Sequence, residues 1–95
     1  MDLAHITHHH FSPLVGEHFV VTLEGGPVEA SLTSVRVMGQ GAGREAFSLL
    51  FDVPSAAALS QRVYAVEHET LGPIDLFLVP VGRTATGLAL EAIFT

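Results

Sequence analysis

The segment Tyr64–Val81, YAVEHETLGPIDLFLVPV, decides the fold of this 95-residue chain. Two β-patterned runs flank the turn residues Thr70–Pro73, which predicts a β-hairpin. The second run is apolar on both faces, and its alternating residues are Ile74, Leu76 and Leu78 on one side and Phe77, Val79 and Val81 on the other. A strand of this kind is normally central in a sheet that is covered above and below. In so short a chain we expect another molecule to supply the second cover.

Alternation and turn residues predict four further strands. They are His18–Glu24, Ala30–Met38, Ala46–Val53 and Leu88–Phe94. The apolar alternation of the second one shifts phase between Leu32 and Val35, which predicts a β-bulge there. Thr7 is a residue type that favours helix N-caps, so we expect a short helical turn over residues 8–14. Ser55–Ser60 has room for one more turn.

Six short strands without a helix long enough for a crossover must pair antiparallel. We therefore expect one all-β domain over residues 1–95: a small antiparallel six-stranded meander barrel or sandwich, with the short N-terminal helical turn plugging one end. Closing such a meander requires the first and last strands to meet. In the hairpin, a four-residue loop would pair Glu69 with Ile74 and set His68 opposite Asp75.

The composition excludes several functions. Hydrophobic residues make up 48% of the chain and charged residues 15%, against about 25% charged in an average domain. The formal net charge is −6, and the four basic residues are all arginine. This balance argues against binding nucleic acid or an anionic membrane surface. There is no cysteine, no secretory signal and no apolar run long enough to enter a membrane, so we expect synthesis in the cytoplasm.

Five segments together resemble a family of bacterial proteins of about this length to which no activity is assigned. They are FSPLVGEHF (Phe11–Phe19), FSLLF (Phe47–Phe51), VYAVEHETLG (Val63–Gly72), LFLVPVG (Leu76–Gly82) and EAIF (Glu91–Phe94). The resemblance covers nearly the whole chain. It implies an association with phage-tail-collar-like proteins, and hence a tail-like or surface appendage as the final location. It implies no catalytic residues.

The histidines are the one cluster with metal-ligand chemistry. His8 and His10 share a face if their segment is extended, and Glu17 would add a carboxylate ligand. A histidine run in a polar turn is more often simply solvated. We therefore predict no metal and no other cofactor, with these three residues as the weak candidates.

A second candidate site lies at the mouth of the expected barrel, where Tyr64, His68 and Asp75 would bind a small molecule or a glycan. Glu67 and Glu69 share a side of their strand and could form a general acid–base pair, but retaining or inverting glycoside hydrolysis needs two carboxylates that face each other across a pocket. We therefore predict no catalytic residues.

Apolar residues on the second faces of the strands exceed what one small core can absorb. The interface candidates are Val20, Leu50, Val63, Leu76, Leu78 and Ile93. The preferred hypothesis is a non-enzymatic structural or adaptor β-domain whose partner is a second copy or another protein of a bacterial phage-tail-like or surface assembly. The alternative is a small-molecule or glycan-binding β-barrel.

Overall fold

Six antiparallel strands close into a barrel, which confirms the predicted fold class. The computed structural model describes residues 6–41, 44–54 and 59–94. The strands are β1 (His18–Leu23), β2 (Gly26–Gly41), β3 (Arg44–Val53), β4 (Arg62–His68), β5 (Gly72–Arg83) and β6 (Leu88–Phe94). Two 3-10 turns, His8–His10 and Ser12–Leu14, precede them. Most of the helical turn predicted over Ser55–Ser60 lies outside the described residues.

The strand order differs from the expected meander. Around the ring it is β1, β2, β3, β6, β5, β4, so the barrel consists of two three-stranded meanders joined edge to edge. The first and last strands do not pair with each other: β1 pairs with β4, and β6 pairs with β3. In the observed order every strand has two neighbours, so no strand edge is left unpaired. The expected sequential meander would also have met this requirement.

The β4–β5 hairpin has a shorter loop than predicted. His68 is opposite Gly72, and Asp75 is opposite Ala65, so the predicted His68–Asp75 pair is wrong. Gly72 has a φ of 76°, a conformation that glycine adopts without steric cost. This left-handed residue ends a three-residue loop, which is a standard hairpin connection. The bulge predicted in β2 is confirmed by a register shift between Leu32 and Ser34.

The core fills the barrel with large apolar side chains. Phe19, Phe47, Phe51, Leu49 and Leu90 are completely buried. The N-terminal turns close the end where β3 begins and β6 finishes, as predicted: Phe11 is also completely buried there. Its ring centroid is 6.1 Å from that of Phe47 and 5.9 Å from that of Phe94. These contacts make the N-terminal segment part of the core.

Strand β5, which is apolar on both faces, buries one face in the barrel and leaves the other exposed. Ile74, Leu76 and Leu78 are buried in the barrel, whereas Phe77 and Val81 are about half exposed. Leu76 and Leu78 were interface candidates, and the structure removes them from that set because they belong to the interior. The most exposed large apolar side chains lie on the outside of β4, β5 and β6, and others stay exposed at Val15, Val20, Val37 and Met38.

Candidate functional site

An apolar band occupies the outer surface of β4, β5 and β6. We define the outer band as Val63, Phe77, Val81 and Ile93, whose exposed fractions are 56%, 53%, 52% and 56%. Val63 and Phe77 are directly opposite in the β4–β5 ladder. Val79 pairs with Glu91 in the antiparallel β5–β6 ladder. Phe77, two residues before Val79, and Ile93, two residues after Glu91, therefore project from the same part of the outer surface. A register shift between Pro80 and Gly82 marks the bulge that contains Val81.

The remaining interface candidates lie at the margins of this surface or away from it. Val20, on the outer face of β1, is 38% exposed. Leu50, on β3, is half-buried opposite Glu91. The sequence identified Val63 and Ile93 but not Phe77, because Phe77 and Leu76 are equally apolar and only the barrel interior distinguishes them.

His68 is a buried structural residue. The side chain is 3% exposed, and its Nδ1 accepts hydrogen bonds from the backbone N–H groups of Thr70 (3.0 Å) and Leu71 (3.4 Å). An accepting Nδ1 places the ring proton on Nε2, which donates to Glu17 Oε1 at 2.8 Å. The ring packs against Phe19 with 4.6 Å between centroids. Both ring nitrogens are therefore occupied: Nδ1 holds the hairpin loop, and Nε2 joins β4 to the segment before β1.

The three predicted binding residues do not converge. Tyr64 is buried, its hydroxyl donates to the carbonyl of Ser60 at 2.7 Å, and the Arg62 guanidinium lies 4.9 Å from its ring centroid. Asp75 is exposed on the outer face, on the opposite side of the sheet from Tyr64. Tyr64, His68 and Asp75 therefore form no common site. The shift in register is the reason, because it moves Asp75 three residues along β4.

His68 contributes to the lining of a shallow cleft of about 430 Å³ on the outside of β1, β2 and β4. Its lining includes His18, Val20, Glu29, Glu67 and Glu69. The His18 and Glu29 side chains are 3.9 Å apart and both are well exposed. The cleft is open and rich in carboxylates, and it contains neither Tyr64 nor Asp75.

The predicted weak metal ligands have separate partners. His8 Nδ1 is 2.5 Å from Glu45 Oε1, His10 Nδ1 accepts from the Thr7 backbone N–H at 3.0 Å, and Glu17 bonds to His68. Among residues 6–41, 44–54 and 59–94, no three histidine or acidic residues form a group that could hold a metal ion. The set His8, His10 and Glu17 is therefore wrong as a site.

Glu45 joins the N-terminal segment to β3, and this contact could not be predicted because the partners are far apart along the chain. Its Oε1 also accepts the backbone N–H of His8 at 2.9 Å. The hydrogen bond from the His8 backbone N–H is the main cause that holds the pKa of the Glu45 carboxyl below its ordinary value of 4.5, and the bond to the His8 side chain is the second. Glu45 therefore stabilises the fold mainly in its charged form.

Replacing Glu45 with glutamine is expected to lower the unfolding temperature at neutral pH and to have little effect in acid. A carboxyl whose pKa is lowered in the folded state stabilises above its unfolded pKa, and loses that effect as the pH falls through the folded pKa. The difference between wild type and E45Q should therefore be full above pH 4.5, the ordinary pKa, and be lost as the pH falls through the lower pKa of the folded state. Thermal unfolding followed by circular dichroism across this range measures it. A difference that is constant with pH would contradict the assignment.

Asp52 anchors the β5–β6 loop, a second polar feature that the sequence did not reveal. The Thr84 hydroxyl donates to Asp52 Oδ1 at 2.6 Å, and the Thr86 hydroxyl donates to Oδ2. The loop also carries a backbone hydrogen bond from Thr84 N–H to the Gly87 carbonyl at 2.9 Å. The Asp52 carboxylate therefore has a structural role in holding this loop.

Fold and surface together define the class: a small, closed, six-stranded antiparallel β-barrel with an apolar outer band. The chain belongs to the family described as a domain of unknown function (DUF6916), whose model matches residues 6–94. Searches of curated proteins and of solved structures found no match to the chain. Within the described residues, no helix has the length and apolar character needed to span a membrane.

Proposed function

We propose that this chain is a non-enzymatic structural or adaptor domain that self-associates or docks within a larger bacterial assembly. The observation that carries the proposal is the outer band, where four large apolar side chains stay more than half exposed on one face of the barrel. A contiguous apolar patch of a few hundred Å² is about the largest that a soluble monomer exposes, and such a patch is often functional. The band itself is uncharged, but Glu91 is opposite Val79 and Asp75 is two residues from Phe77, so a partner must leave these carboxylates in contact with water.

The polar residues support a structural role as well. The side chains of His68, Glu17, Glu45 and Asp52 all bond to neighbouring loops or turns. Each of these bonds joins segments that are distant along the chain, so the polar groups hold the barrel together. A barrel cross-linked in this way, with an apolar band on its outer surface, is suited to repeated packing in an assembly.

The setting we propose is a phage-tail-like or surface appendage. This part of the proposal depends on the resemblance of five sequence segments to bacterial proteins associated with tail-collar-like partners. A final place in an extracellular or phage-like particle would follow from it. Such particles are built from many copies of small domains, for which a self-associating barrel is the expected kind of part.

Light scattering on wild-type protein during size-exclusion chromatography tests the proposal. At micromolar concentration we expect a mass of two or more chains, because burial of the outer band favours association. The mass should fall towards that of one chain on dilution. A single chain at every concentration, including millimolar, would remove self-association from the proposal.

The alternative function, a small-molecule or glycan-binding barrel, has one observation in its favour: the cleft beside β1 and β4. Its volume of about 430 Å³ is in the range of small-ligand sites. Its openness to solvent and its carboxylates fit a polar ligand better than an apolar one. The direct check is to titrate the protein with a panel of common mono- and disaccharides and to monitor the NMR chemical shifts of Val20 and Glu67.

A further inference from the structure

We infer that the outer band is the face through which two copies of this chain meet about a two-fold axis, with Phe77 as the central anchor. This inference rests on the proposed function and specifies its partner and its surface. Phe77 is flanked on β4 by Val63, and Ile93 lies on the neighbouring strand β6. The three side chains project outward from successive strands, so they form one continuous apolar surface.

The band supplies part of the apolar area that a dimer requires. The exposed fractions of its four side chains correspond to roughly 350 Å² of apolar surface, the size of the largest patch on a typical monomer. A standard interface removes about 800 Å² from each partner, of which about 60% is apolar. The band would supply most of that apolar share, and its half-buried neighbour Val79 would add to it.

The geometry of a sheet face favours a second sheet as its cover. Outward residues at every second position form the kind of ridged surface that the inner faces of β-sandwiches present to each other. Two sheets pack best when they share the same twist, and a second copy of β4–β5–β6 has the same twist by identity. A two-fold axis brings the same patch of both copies together, which makes a single apolar band sufficient.

Charge predicts how such a dimer responds to salt. The carboxylates Asp75 and Glu91 lie beside the band on β5 and β6, and the chain carries a formal net charge of −6. In a dimer of identical copies these carboxylates approach each other at the rim. Salt screens that repulsion, so the dimer should become tighter as ionic strength rises. A basic partner protein would show the opposite trend.

The test compares Phe77→Gln with a matched control, Met38→Gln, by sedimentation equilibrium. Both side chains are large, apolar and about half exposed on the outside of the barrel, but Met38 lies on β2, away from the band. We expect F77Q to weaken the dimer at least roughly ten-fold, as loss of a central anchor does. M38Q should leave the dissociation constant unchanged, and both variants should keep the wild-type circular dichroism spectrum.

A covalent experiment gives a second, independent readout. The chain has no cysteine, so Phe77→Cys introduces a single thiol. Under mild oxidation F77C should form a disulfide between two copies, each thiol losing a proton and an electron to the added oxidant, whereas M38C should not. Equal cross-linking of both variants would overturn the inference.

The outcomes separate the inference from the proposed function. If wild type associates but F77Q and M38Q behave alike, or if salt weakens the dimer, the inference fails and assembly through another surface stands. If wild type is a single chain at every concentration, self-association and the inference fail together. Tighter association at higher ionic strength, together with a weaker dimer in F77Q but not in M38Q, supports both the proposed function and the inference.

Discussion

Phe11→Ala is expected to lower the free energy of unfolding by about 3–5 kcal/mol, the usual cost of truncating a buried phenylalanine. Phe11 has no exposed surface, and its ring fills the space beside the stacked rings of Phe47 and Phe94, which are 4.5 Å apart. Alanine would leave a cavity at this end of the barrel. Since small domains are stable by only about 5–15 kcal/mol, much of the stability would be lost. Urea denaturation followed by circular dichroism measures the change.

The matched control is Val15→Ala, in the same N-terminal segment. Val15 is 46% exposed, so its truncation should change the stability by no more than about 0.5 kcal/mol, as is usual for surface positions. The comparison separates loss of the Phe11 ring from general disturbance of the segment. Similar effects of the two substitutions would show that the N-terminal turns do not belong to the cooperative core.

His68→Ala is expected to cost about 2–4 kcal/mol, because it combines the lost packing of a buried ring with two partly buried backbone donors that lose their acceptor. The backbone N–H groups of Thr70 and Leu71 would lose the Nδ1 acceptor, and Phe19 would lose the ring packed against it. The β4–β5 loop should loosen first. Urea denaturation gives the total cost, and hydrogen exchange at Thr70 and Leu71 locates it.

Glu17→Gln is the control for His68. Its side-chain oxygen can still accept the Nε2–H of His68, so we expect a cost below about 1 kcal/mol, the net value of a typical hydrogen bond. Faster exchange of the loop amides in H68A but not in E17Q would identify Nδ1 as the group that holds the loop. Unchanged exchange in H68A would contradict this role.

Local features of the fold could be predicted from the sequence. The strand β6 was predicted with its observed bounds, and the phase shift after Leu32 correctly indicated a bulge. Both depend on short-range alternation, which the pleat imposes directly. The hairpin register failed because Gly72 adopts a left-handed conformation that shortens the loop, and a Gly-Pro pair is compatible with several loops.

Non-local features could not be predicted in the same way. The alternation of apolar residues does not indicate that β3 pairs with β6, since a ring in sequential strand order would bury the same residues. The partner of His8 is Glu45, and the partner of His68 is Glu17, both chosen by the closed barrel and not by spacing. For the candidate site, the sequence indicated an excess of apolar surface but could not assign Phe77 to the outside and Leu76 to the inside.

The construction of the ring from two meanders has a consequence for the speed of folding. Within each meander the paired strands are neighbours along the chain, so their loops close quickly. The two seams instead join distant residues, Val20 with Glu67 and Phe47 with Phe94. Loop-closure entropy opposes such contacts until both halves exist. The rate-limiting barrier should therefore lie at the docking of two preformed halves, and nascent chains would hold an unpaired first half until the second leaves the ribosome.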